Sequence, residues 1–159
     1  MTEQGATVEQ ARGQQTPWAS HTSVRFCYPF LDAFVDRFGA QACGAFLATW
    51  NTSLADLRRD ETRWIDLRFL EALTDELVRR TGSDEIVAEC GRLGITRKYI
   101  GAVYPVLRML GSPRQFYSRI DTLSANVNRV NRVEVELLGR GQARICYHPG
   151  EVEERSPHV

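Results

Sequence analysis

The hydrophobic period of this chain changes once, near residue 131, and that change constrains the fold more than any other feature. From Phe30 to Val130 apolar residues recur at three- and four-residue intervals, the period of helices that pack through one face. From Val133 the interval is two. Val133, Val135 and Leu137 alternate with Glu134 and Glu136, and Ala143, Ile145 and Tyr147 alternate with Arg144, Cys146 and His148. Gly139-Arg140-Gly141 separates the two runs. The spacing predicts a C-terminal antiparallel β-hairpin with one apolar and one charged face, Glu134 and Glu136 lying across from Arg144 and His148. The expected fold class is α+β and predominantly helical, about five or six helices followed by the hairpin.

Local signals divide the helical part. Pro29 suits a first turn, and Phe30, Leu31, Phe34, Val35 and Phe38 form a stripe that stops at Gly39. A second stripe, Ala42, Phe46, Leu47 and Trp50, ends at Asn51-Thr52-Ser53. The charged run LADLRRDETRW reads as a loop with a helical turn. Asp66 is placed to cap a helix over 67–80 with the stripe Leu67, Leu70, Leu73, Leu77 and Val78, and Gly82 to end it. Ser83 opens the next helix. From Thr96 to Leu110 the stripe Ile100, Val103, Tyr104, Leu107 and Leu110 runs through Pro105, which predicts a kink rather than a loop. Ser112-Pro113 then starts a helix carrying Phe116, Ile120, Leu123 and Val127.

With 159 residues the chain fits one domain. Residues 1–23 hold few large apolar side chains and read as a flexible leader, 24–148 as the folded region, and 149–159 as a polar tail or linker. A hairpin alone is marginal and leaves two edges. Its apolar face is therefore expected on the helices. A free edge calls for self-association, or for strands from a longer chain.

Charge narrows the function classes. Lys+Arg 20 balances Asp+Glu 20, which argues against a general nucleic-acid binder, and 83–110 makes a helix-turn-helix too apolar to read bases. No apolar stretch is long enough for a transmembrane span, and no basic-then-apolar start marks a signal peptide, so a cytoplasmic protein is expected. Nucleophile, P-loop, dinucleotide and metalloprotease motifs are missing from the sequence. Cys27, Cys43, Cys90 and Cys146 are widely spaced and read as free thiols. Cys146 and His148 share a strand face but supply only two of the four ligands zinc needs. No cofactor is expected. The candidate ligand-binding residues are Tyr104 and Arg108 beside the kink, and Tyr117 and Arg119 in the following helix. Tyrosine hydroxyls and guanidinium groups of this kind can line a gap for a polar or anionic ligand.

One further pattern joins Trp64-Ile65-Asp66-Leu67, the helix ending Arg79-Arg80-Thr81-Gly82-Ser83-Asp84, Tyr104-Pro105, Gly111-Ser112-Pro113 and the hairpin. Over about residues 28–148 this order resembles the N-terminal input domains of bacterial sensor histidine kinases and diguanylate cyclases. Those domains are similar in outline to haem–nitric oxide-binding and 4-vinyl-reductase-type folds. The resemblance implies a sensory module that passes a signal to a dimer partner or an attached output domain. Haem would need a proximal histidine, and residues 98–105 (KYIGAVYP) have none; Phe116-Tyr117-Ser118-Arg119 departs from the propionate-clamp spacing. The expected function is a non-catalytic regulatory input domain binding a small ligand or partner. The alternatives are a dimerisation module without ligand, and a small enzyme.

Overall fold

The computed structural model describes residues 16–100, 112–125, 127–139 and 142–150. Its architecture is α+β, with helices through most of the chain and an antiparallel hairpin near the end. The Pro105 kink and Gly111 fall outside the described residues, as do residues 1–15 and 151–159.

A short 3-10 helix, Val24–Cys27, leads into α1, Tyr28–Ala48. Gly39 interrupts α1 with φ 84° and ψ 160°, a conformation open in practice only to glycine. Phe34 and Phe46 are twelve residues apart, which would separate them by about 18 Å in a straight helix. Their rings instead stack at 5.9 Å. The glycine therefore folds the two halves of α1 onto each other, two helical pieces that meet at the break the sequence predicts at Gly39. Phe69 meets Phe46 at 6.2 Å and Trp50 edge-on at 5.3 Å, carrying the aromatic chain into the next layer.

The charged run forms α2, Leu54–Arg59, capped by Ser53, with Leu57 fully buried. The Tyr28 hydroxyl donates to the Leu57 carbonyl at 3.0 Å and ties α2 to α1. Asp66 caps α3, Leu67–Thr81, by accepting from the Arg68 amide, and Gly82 ends it at φ 70°, donating to Val78. Its buried side chains are Phe69, Leu73 and Leu77, while Leu67 and Leu70 are half-buried. Leu73 and Leu77 of the predicted stripe are thus in the core, joined by Phe69, whose ring takes the place expected for Leu70. Ser83 accepts from Glu85 at the start of α4, Glu85–Gly94, and α5 is Arg97–Ile100. Ser112 accepts from Gln115 at the start of α6, Pro113–Tyr117. α7, Ile120–Ala125, follows after a break at Ser118-Arg119. The Ser118 hydroxyl donates to the Gln115 carbonyl at 2.9 Å, a local bond that competes with the helical ladder.

Among the described residues two strands precede the hairpin. β1, Trp18–Ser23, runs antiparallel to β2, Trp64–Ile65, with Ser23 opposite Trp64. β1 lies inside the stretch that composition assigns to the leader, so the folded region reaches back before residue 24. Its anchors are long-range. Pro17 accepts from the Asp66 amide, the Ser23 amide donates to Val127, and the Arg129 amide donates to His21. Arg63 stacks over Trp18 and Arg129 over Trp64. β3, Arg132–Gly139, and β4, Gln142–His148, close the chain as the hairpin.

Candidate functional site

The hairpin has the predicted alternation of faces, and of the predicted charge pairs only Glu136 and Arg144 are directly opposite. Val133 faces Tyr147, Val135 faces Ile145 and Leu137 faces Ala143, while Glu136 lies opposite Arg144 and Glu134 opposite Cys146. On the charged face Arg144 pairs with Glu136 at 2.8 Å, and His148 Nε2 lies 3.4 Å from Glu134, one step along the diagonal. At its root, the Asn128 side chain accepts from the Val130 and Asn131 amides, and Val130 is buried.

The apolar face departs from expectation. Val133, Val135 and Ala143 are half-buried, yet Leu137 is 40% exposed, Ile145 50% and Tyr147 59%. The nearest helices, α6 and α7, pack along β3 and reach β4 less. The helices therefore cover only part of a face that was expected to lie on them. Tyr147 does feel its surroundings: partial burial and the Glu71 carboxylate of α3 push its phenol above the ordinary range. Among the described residues β3 and β4 pair only with each other, so each keeps one outer edge.

Of the four predicted ligand-binding residues, Tyr104 and Arg108 lie outside the described residues. Tyr117 ends α6, half-buried, and Arg119 is exposed in the break before α7, its carbonyl accepting from Leu123. Cys146 and His148 share a strand face with Glu134. Among the described residues no group of three or more His, Cys, Asp or Glu side chains could hold a metal ion.

Two charged clusters escape sequence reading because their members come from distant segments. Asp32 of α1 accepts from Lys98 Nζ at 2.5 Å, from the Tyr99 hydroxyl at 2.8 Å and from Arg58. Burial works against its ionisation, but these donors outweigh burial and hold the carboxyl below its usual range. The chain's single lysine thus fastens α5 to α1. In the second cluster, His21 Nδ1 accepts from the Leu67 amide at 3.3 Å and lies 3.3 Å from Asp66 Oδ1. Arg68 grips the same carboxylate, which again stays low in pKa against the cost of burial. Here a histidine assigned to the leader is 8% exposed and seats β1 on the start of α3. Both clusters satisfy their charges internally and act as fasteners.

The thiols are similarly committed. Cys27 donates to the Val24 carbonyl at 2.9 Å, and burial pushes its thiol far up. Cys43 is raised by burial, and Cys90 to about 11 by the same cause. Such thiols are poor nucleophiles at neutral pH. Cys146 is only half-buried. No helix among the described residues is long and apolar enough to cross a membrane. No protein-family model, curated protein or solved structure matches the chain, which leaves the geometry of the hairpin to speak for its role.

Proposed function

We propose that the chain is a non-catalytic regulatory module of the input-domain kind that works by self-association through the β3–β4 hairpin. The observation that carries this is the half-open apolar face: Leu137, Ile145 and Tyr147 remain 40% to 59% exposed on a strand pair whose outer edges are unpaired among the described residues. Exposed apolar surface beside a free edge is the usual mark of an interaction site. Val87, Leu93 and Ile95 on or just after α4, and Phe26 in the 3-10 helix, are exposed as well, but the apolar residues of the hairpin lie beside a strand edge that is unpaired among the described residues. Four free cysteines suit a reducing compartment, and we place the module in the cytoplasm.

Sedimentation equilibrium of the full chain tests this, with Ile145→Arg as the comparison. The expected result is a homodimer that Ile145→Arg converts to monomer while leaving the helical circular dichroism unchanged. A monomeric parent chain overturns the proposal. Native mass spectrometry of the same material separates the ligand-sensing alternative, which predicts a bound small molecule and its loss in Tyr117→Phe with Arg119→Ala.

A further inference from the structure

We infer that the partner seated on the hairpin is a second copy of this chain joined β4 to β4, antiparallel and centred on Ile145, so that two hairpins form one four-stranded sheet. This rests on the self-association proposed above and specifies its edge and register.

Charge decides the edge. Residues directly opposite in an antiparallel pair lie close, and like charges there are destabilising. Pairing β3 with its own copy about a two-fold on Val135 keeps seven of its eight residues paired, 132–138. Glu134 then faces Glu136 of the second copy, and Glu136 faces Glu134, two like-charge contacts in one ladder. β4 carries one arginine and no carboxylate, lysine or proline, so it lacks both the repulsion and the usual guards of an edge.

Overlap decides the register. Centring β4 on Arg144 would set two arginines face to face. Centring it on Cys146 leaves Ala143 opposite Pro149, which cannot extend the ladder. Centring it on Ile145 pairs every residue of Gln142–His148. Gln142 then meets His148, Ala143 meets Tyr147 and Arg144 meets Cys146, with no like charges opposed. The small Ala143 leaves room for the large Tyr147 ring of the second copy. Combined with the hairpin register, three unbroken apolar rows cross the sheet: Val133–Tyr147–Ala143–Leu137, Val135–Ile145–Ile145–Val135, and the first row reversed. Every half-exposed apolar residue of β4 gains a neighbour.

The geometry makes distances that a crosslinker can read. Across the β4–β4 junction the two residues at position 145 stand about 5 Å apart. The two residues at position 135 lie three strand spacings apart, about 14 Å. Ile145→Cys and Val135→Cys, each with Cys146→Ser, are treated with a short bismaleimide and scored for dimer on a denaturing gel. The buried thiols at 27, 43 and 90 stay silent. The expected result is crosslinking several-fold faster for Ile145→Cys than for Val135→Cys. In the unsubstituted chain a longer bismaleimide is expected to join Cys146 to Cys146 across the diagonal, about 7–8 Å apart; this reading needs no folded variant. Faster crosslinking at 135 overturns the β4 edge in favour of β3. Equal or absent crosslinking in a chain that sediments as a dimer overturns the sheet geometry and leaves self-association standing. A monomer removes both.

Discussion

Phe34, Phe69 and Leu73 of the helical half are fully buried, whereas Ile145 and Tyr147 of the hairpin keep 50% and 59% of their surface in solvent. Both regions are built from large apolar side chains in regular alternation. They differ in what faces them. The folded-over α1 presents one half of its stripe to the other, and α3 closes the gap with Phe69. The hairpin presents three apolar pairs to helices that cover β3 more than β4. Apolar pattern alone therefore marks which residues need burial, and the supply of opposing surface decides where burial happens. The helical half covers Phe34, Phe69 and Leu73 within one chain, although Phe26, Val87, Leu93 and Ile95 stay exposed at its surface. Among the described residues Ile145 and Tyr147 of the hairpin find no such cover.

The contrast is sharpest in stability. Phe69→Ala empties the centre of the aromatic chain and is expected to cost about 3–5 kcal/mol in urea unfolding. Tyr147→Ser removes a largely solvated ring and is expected to cost less than about 1 kcal/mol in dilute protein. Equal costs would erase the distinction between the two regions.

A middle-sized effect probes the fasteners of the helical half. Asp32→Asn removes the carboxylate shared by Lys98, Tyr99 and Arg58 and is expected to cost about 1–2 kcal/mol at neutral pH. Because the folded carboxyl titrates below its unfolded value, this stabilisation is complete above about pH 4 and fades as pH falls further. Parent and Asp32→Asn unfolding curves should therefore converge in acid. A gap that persists under acid would show that packing, and not charge, fixes α5.

The smallest effect sits on the surface of α3. Hydrogen bonds from Arg79, then Arg80, hold the Glu76 carboxyl at about 2 from an ordinary 4.5. Its contribution is present above pH 4.5 and is lost between there and about pH 2. Glu76→Gln should lower stability by less than about 1 kcal/mol at pH 7, as expected of an exposed pair, and flatten the acid limb correspondingly.

Local chemistry was legible wherever a backbone position needs a particular residue. Gly39, Asp66, Gly82 and Ser112 mark breaks and caps, and the period of two assigns the two faces of the hairpin, though Glu134 lies opposite Cys146 and not His148. β1 was not legible. Its buried residues include His21 and Thr22, polar groups whose partners at 66, 67, 127 and 129 lie far along the chain, and no apolar alternation announces it. Phe69 was missed because a helix with leucines on several faces offers more than one stripe, and only the aromatic rings of α1 select among them. The cover of the hairpin face is equally invisible, since pattern shows a face to be buried and not the area of its partner. Of the candidate ligand residues, sequence spacing brings Tyr117 and Arg119 to the same helix, while the structure separates them at the Ser118 break.

β1 also sets an order of events in folding. It is made before everything it grips: β2 lies some forty residues later, and the Thr22 hydroxyl reaches a carbonyl 105 positions downstream. Contacts so distant along the chain close late, because the intervening loop must first be paid for in entropy. During synthesis its pairing with β2 and the start of α3 needs nothing beyond residue 67. Its bonds to Val127 and Arg129 close only when those residues emerge, beside the root of the hairpin. The last anchors of β1 and the root of the hairpin are thereby set together.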